Sequence, residues 1–388
     1  MKKDTVLTTA GRNPAENFGI VNPPVYHAST IAFETVAELE AGDANPFEGV
    51  HYGRQGTPTT FAFQEAVAAL EGGEATLALP SGMAAIACAL LAFVKSGDHV
   101  LITDSVYFPT RRFCGSALND FGVETTYFDP MIGAGISELI RPETKIVFVE
   151  APGSLTFEVQ DIPTIAEAAH ARGALVVMDN TYSAGLFYQP FEKGVDISVQ
   201  AATKFIVGHS DAMLGTITTR NDLINVIKAA SNNYGYCAGP DDCYLGLRGI
   251  RSLSPRMARH QENGLKLAEW LMTRPEVETV LHPALPACPG HEIWKRDFTG
   301  ACGLFGVVLK PVSKKALTAM LDGLEIFSMG YSWGGYESLI IPTYPAKIRT
   351  ATEWSYAGPS LRIHTGLEDA DDLIADLEAG LKRLSAAS

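Results

Sequence analysis

An α/β fold, with a mostly parallel central sheet covered by helices on both faces, is what this sequence predicts. Short β-branched runs recur through the first two-thirds of the chain, separated by stretches with helical spacing. That alternation belongs to a sheet wound through helices. Several of the runs are apolar almost without interruption, as strands buried on both faces must be.

The elements follow in order. The first 57 residues are rich in Pro, Gly, Asn and Thr and lack a sustained helical period, so they read as an extended arm that packs on another subunit. Strands are expected at 75–79, 100–103, 123–127, 146–150, 175–179, 197–200 and 214–218, with helices at 60–70, 83–94, 109–121 and 163–171 between them. From about Gly246 the pattern changes. A long amphipathic stretch at 251–270 leads into a smaller α/β unit with a strand at 303–309 and helices at 313–321 and 369–384. The expected organisation is an arm (1–57), a large domain (58–247) and a C-terminal small domain (248–388).

Composition excludes several classes of function. Hydrophobic residues are 46% and charged residues 19% of the 388, an ordinary globular balance. A net charge of −14 with no basic run argues against a nucleic-acid surface. No apolar segment follows Lys2 and Lys3 as in a secretory signal, and the longest apolar stretch, 84–94, is too short to span a bilayer. Six scattered cysteines without a C-x-x-C pair fit reduced thiols, so a cytoplasmic protein without membrane attachment is expected. His282, Cys288 and His291 lie in a Pro-rich segment without paired-ligand spacing, so no metal is assigned to them. No G-x-G-x-x-G follows a strand, which removes a dinucleotide-binding dehydrogenase.

Chemistry concentrates at expected strand ends. Asp179 closes the 175–179 run and Lys204 follows the next. Ligands of open α/β sheets bind at the carboxyl ends of strands. Singly, each residue is ordinary: a strand-end Asp caps a helix, and a Lys is solvated. Together they suit pyridoxal 5′-phosphate (PLP), which needs a lysine for its aldehyde and a carboxylate for its ring nitrogen. Ser81, Gly82 and Met83 stand where a strand turns into an apolar helix, a place that caps the helix and also binds phosphate. Tyr107 follows the next strand, where its ring can stack on the cofactor or simply pack.

These segments resemble the Cys/Met-metabolism PLP-dependent enzymes. The stretch from Gln200 through Thr203 and Lys204 to Met213 is similar to that family's cofactor-lysine segment. So are Tyr52-Gly53-Arg54, Ser81-Gly82-Met83, Asp179-Asn180-Thr181, the run Ser328 to Ser338 holding Ser332 and Trp333, and the run Leu361 to Asp369 holding Arg362. The resemblance implies an aspartate-aminotransferase-like fold (PLP fold type I) in dimers paired into a homotetramer. It implies cofactor contacts from Ser81, Gly82, Met83, Tyr107, Asp179, Thr203 and Lys204, with Tyr52 and Arg54 reaching a neighbouring subunit's phosphate. Ala201 departs from the family, where a phosphate-binding Ser is common.

The segments 150–158, 295–300 and 332–338, and the run Ile341 to Pro345, are similar to the bacterial β-lyase branch rather than the γ-branch. That implies cleavage of the Cβ–S bond of cystathionine to homocysteine, pyruvate and ammonia in methionine biosynthesis, with cystine and other cysteine S-conjugates sharing the reacting centre. Lys204, aided by a Tyr107 phenolate, is then expected to take the Cα proton. Arg362 would clamp the substrate carboxylate, with Ser332, Trp333 and Tyr107 lining the substrate side. The alternatives are a γ-lyase or γ-synthase, told apart by products, and a PLP-binding regulator without turnover.

Overall fold

The computed structural model describes residues 1–387, with the side chain of Asn221 left aside. In chain order its helices are α1 (Lys3–Thr9), α2 (Val36–Ala44), α3 (Pro58–Glu71), α4 (Gly82–Leu91), α5 (Phe108–Phe113), α6 (Ile162–His170), α7 (Asn221–Tyr234), α8 (Pro240–Arg251), α9 (Leu253–Met272), α10 (His291–Asp297), α11 (Lys314–Leu321) and α12 (Ala370–Ala387). The strands are β1 (Ala75–Leu79), β2 (His99–Thr103), β3 (Glu124–Phe128), β4 (Thr144–Glu150), β5 (Leu175–Asp179), β6 (Ile197–Gln200), β7 (Gly215–Thr219), β8 (Val277–Leu281), β9 (Leu304–Leu309), β10 (Leu339–Thr343) and β11 (Ser360–His364).

β1 to β7 form one sheet in the order β1-β7-β6-β5-β4-β2-β3, in which β7 alone runs against the rest. Side chains alternate across a strand, so each apolar run feeds two cores. Val100, Ile102, Ile146 and Phe148 face a cluster with α4 and Leu118. Leu101, Val147, Val149 and Met178 face another with α6. Two covered faces explain the apolar runs of β4 and β5. The second sheet, β10-β11-β9-β8, is fully antiparallel and packs against α9, α11 and α12.

One expectation changes and two are met with added detail. The arm is not wholly extended: α1 forms because Leu7 is buried against α3 and α8 residues, and Arg251 donates to the carbonyls of Leu7 (2.7 Å) and Ala10 (2.8 Å) at its C-terminus. Tertiary docking rather than propensity makes this helix. The expected helix at 109–121 is α5 followed by a π-type turn at Cys114–Leu118. The amphipathic stretch at 251–270 is α9, set off from α8 by a break at Ser252. There the buried Arg256 donates to the carbonyls of Gly249 (2.8 Å) and Phe205 (2.8 Å), tying the break to the segment after Lys204.

The two sheets are joined near the end of β2. The Asp104 carboxylate is fully enclosed and accepts from the Arg111 guanidinium and from the backbone N–H groups of Thr350, Ala351 and Thr352 (3.0, 3.0 and 2.9 Å). Arg349 adds a buried ion pair to Glu158 at 2.6 Å.

Candidate active site

Because β1, β2, β4, β5 and β6 point the same way, their carboxyl ends meet at one edge of the sheet, where ligands of such folds bind. A cavity of about 380 Å³ opens there, walled by Ser81, Tyr107, Asp179, Lys204, Ser332 and Arg362 among others. That volume suits a small cofactor with its substrate.

At one end lies the start of α4. Ser81 is its N-cap, with the hydroxyl oxygen accepting from Ala84 N at 3.1 Å. The first-turn N–H groups of Gly82 and Met83 have no partner inside the helix and, with the positive end of the helix dipole, suit a phosphate. A Cβ on Gly82 would come within 2.6 Å of the Ala201 Cβ, so glycine is required for the 201–203 segment to lie against the helix. Thr203, expected at the phosphate, has its Oγ1 accepting from Leu214 N (2.9 Å), with Leu214 O at 3.1 Å and Met213 Sδ at 4.0 Å as acceptors for its proton.

Asp179 ends β5 and is 8% exposed. Its Oδ1 accepts from both the N–H (3.0 Å) and the hydroxyl (2.5 Å) of Thr181. That hydroxyl in turn accepts from Ala201 N at 2.9 Å, linking the acid to the segment leading to Lys204. Thr181 was unassigned in the sequence; the Asp-x-Thr spacing, which favours an Asx-type turn, is the signal for it. Burial raises the Asp179 carboxyl above its ordinary range, against the pull of Thr181 and Lys204. It forms no ion pair among the described residues. A protonated ring nitrogen is the partner such a carboxylate lacks.

Lys204 stands half-buried in the wall of the same cavity. Its Nζ lies 2.5 Å from Ser332 Oγ and 5.4 Å from the centre of the Trp333 ring. Burial, then the Arg362 charge, brings its pKa from 10.5 down to about 8, with Asp179 opposing. Arg362, on β11, donates to the Ser332 carbonyl at 2.8 Å, which leaves the rest of its guanidinium for a ligand.

Tyr107 caps α5 with its ring at the cavity mouth, 43% exposed. Its backbone N–H donates to Glu150 Oε2 at 2.7 Å. Burial first, then Asp179 and Glu150, raise its phenol, which argues against the expected phenolate. Glu150, paired in register with Asp179 across β4 and β5, was not singled out as a site residue. Burial and the Asp179 charge raise its carboxyl well above the ordinary carboxylate range.

Tyr52 and Arg54 do not reach this cavity within the chain; Arg54 instead donates to the Asn232 backbone and side chain at 3.2 Å. His282, Cys288 and His291 each have local partners in Ala284 N, Phe157 O and Pro283 O.

Fold and cavity together define a class: α/β enzymes that carry an aldehyde cofactor on a partly buried lysine, with an acid at the cofactor's ring and a helix start at its phosphate. The chain belongs to the Cys/Met metabolism PLP-dependent enzyme family, whose model matches residues 4–382. It is 45% identical over 390 residues to the cystathionine β-lyase MetC of Escherichia coli (strain K12), covering 99% of both chains. It is 39% identical over 396 residues to an L-alanine/L-glutamate racemase of Wolbachia pipientis wMel, covering 99% of this chain and 98% of the other. The crystal structure of metB from Corynebacterium glutamicum matches with a TM-score of 0.91 at 31% identity, covering 99% of this chain and 98% of that one. The enzyme is therefore PLP-dependent, with the fold type I architecture. No helix among the described residues is long and apolar enough to cross a membrane.

Proposed function

We propose that this enzyme cleaves the Cβ–S bond of cystathionine, releasing homocysteine, pyruvate and ammonia, as a step of methionine biosynthesis. One observation carries the reading: a lysine amine lowered to about 8 shares one cavity with a buried acid, Asp179, and a guanidinium, Arg362. The Escherichia coli relative's name and the β-lyase character of the 150–158 and 332–338 segments support the bond chosen.

Bound in this cavity, PLP supplies an electron-accepting ring next to the substrate's Cα. Asp179 keeps the carboxylate that favours a protonated ring nitrogen, and Thr181 fixes its orientation. Arg362 holds the substrate's α-carboxylate in its planar fork, which orients Cα toward Lys204. The Lys204 amine takes the Cα proton, and its lowered pKa leaves a usable unprotonated fraction near neutral pH. The same nitrogen returns a proton to the departing sulfur. Tyr107 keeps its phenolic proton and lines the mouth, and Ser332 and Trp333 close the substrate side.

The reading includes a cytoplasmic homotetramer whose sites are shared between subunits. Support comes from Tyr52 and Arg54, which lie outside their own chain's cavity, and from the exposed apolar side chains Phe18, Ile20 and Val21 of the arm. Mixing Arg54→Ala and Lys204→Ala chains should restore part of the activity each lacks; no restoration would argue for self-contained sites.

A second reading, amino-acid racemisation, is favoured by the Wolbachia relative and begins with the same Cα proton removal. Product analysis separates the cases. Pyruvate with homocysteine from cystathionine supports the β-lyase; 2-oxobutyrate with cysteine marks a γ-lyase; D-alanine from L-alanine, with cystathionine untouched, marks a racemase.

A further inference from the structure

The loop that brings Ser332 and Trp333 over Lys204 is held in an unfavourable shape. Ser332 has φ +84 and Gly334 φ +88. Left-handed backbone is costly for a serine, so neighbouring contacts must hold it. Gly334 is wedged onto the cofactor lysine: a Cβ there would come within 2.9 Å of Lys204 Cβ and 3.0 Å of its Cα.

One side chain outside the mechanism above meets this loop. His364, at the end of β11, is fully buried, and its Nε2 lies 3.1 Å from both Gly334 N and Gly335 O. Two residues before it on the same strand is Arg362, which binds the Ser332 carbonyl. The imidazole is packed rather than free to swing: the His260 ring is 5.2 Å away and the Phe205 ring 5.8 Å, and Phe205 also contacts Trp333 at 5.5 Å. His260 is itself fixed to the Thr365 carbonyl at 2.7 Å.

We propose that His364 is a positioning residue for Lys204: by holding the Gly334–Gly335 backbone, its Nε2 keeps Ser332 and Trp333 closed over the ε-amine. Burial, and then the neighbouring His260, keep the ring neutral. In either neutral tautomer Nε2 holds the loop through one contact: accepting from Gly334 N when Nδ1 carries the proton, donating to Gly335 O when Nε2 does. The loop in turn withdraws Lys204 from water, and burial is the largest cause of its lowered pKa.

The inference rests on Lys204 being the cofactor lysine and is independent of which sulfur substrate is cleaved. The test uses the full chain stripped of cofactor and PLP itself as probe. The rate of recombination, followed by visible absorbance against pH, reports the free Lys204 amine. His364→Phe keeps a ring for packing and removes the nitrogen; His364→Gln restores a donor and acceptor near Nε2. Asp179, Arg362, Tyr107 and Glu150, which also surround Lys204, are unchanged in both. The parent midpoint is expected near 8. In His364→Phe it should rise by about one unit, because a loosened loop rehydrates the amine, while His364→Gln should stay near the parent. A His364→Phe midpoint equal to the parent's, with only the melting temperature lowered, would overturn the proposal. So would a His364→Gln midpoint raised as far as that of His364→Phe, and the Gln comparison with the parent stands even if the Phe variant does not fold.

Discussion

Lys204 Nζ and Ser332 Oγ are 2.5 Å apart, a contact that joins the segment after β6 of the large sheet to the loop before β10 of the small one. Neither residue's own sheet could build the cavity alone. Removing the hydroxyl by Ser332→Ala should leave the cofactor on Lys204 and reduce kcat/KM about tenfold, the effect of one hydrogen bond to a charged group. Steady-state kinetics with cystathionine check this; an unchanged kcat/KM would make the contact incidental.

Asp179 should matter more. Asp179→Asn keeps the shape and the Thr181 turn but removes the charge that favours a protonated ring nitrogen. Loss of a buried charge pair costs about 3–5 kcal/mol, so turnover should fall by about two to four orders of magnitude. The cofactor should also dissociate more readily, which equilibrium dialysis against PLP measures.

Glu150 differs because burial and the Asp179 charge raise its carboxyl well above the ordinary range, which favours a neutral group. Glu150→Gln still accepts from Tyr107 N and should turn over within about twofold of the parent. Glu150→Ala leaves that N–H unpaired and should cost about 1–2 kcal/mol of stability, seen in denaturant unfolding. A Gln variant as impaired as the Ala variant would mean that Glu150 acts as an anion.

Asp104 sets an acid limit on the joint between the sheets. Burial pushes its carboxyl up, but the Thr350 and Ala351 N–H groups, the Thr352 hydroxyl and Arg111 outweigh burial and hold it below 3.8. A carboxylate lowered on folding stabilises fully above its unfolded pKa and loses that contribution as pH falls through the folded value. Asp104→Asn should therefore cost about 3 kcal/mol at neutral pH, with the gap to the parent narrowing below about pH 4. Urea unfolding at several pH values tests this; a gap that persists at acid pH would contradict it.

The large sheet was legible because its strands bury both faces. All seven expected runs are strands within two residues, those at 75–79, 175–179 and 197–200 without any shift. The antiparallel sense of β7 was not legible, since its residues look like those of its parallel neighbours. In the small unit β8, β10 and β11 were missed. β10 contains Pro342 and β11 the polar pair Arg362 and His364, so neither presents a plain apolar run. Lys204, Asp179, Tyr107, Ser332, Trp333 and Arg362 were each named from sequence and line one cavity. Thr181, Glu150 and His364 were not assigned, because their roles come from contacts between strands and loops far apart in the chain. The phosphate role of Thr203 came from the family resemblance, and its contacts to Leu214 come from the fold, since Leu214 lies 11 residues further on.

The covalent attachment of the cofactor to position 204 is tested most directly by reducing the yellow holoenzyme with borohydride and mapping the peptides by mass. The added cofactor mass should appear on the peptide containing Lys204 and on no other. Cofactor mass on a different lysine, or none on any peptide despite bleaching of the colour, would contradict it.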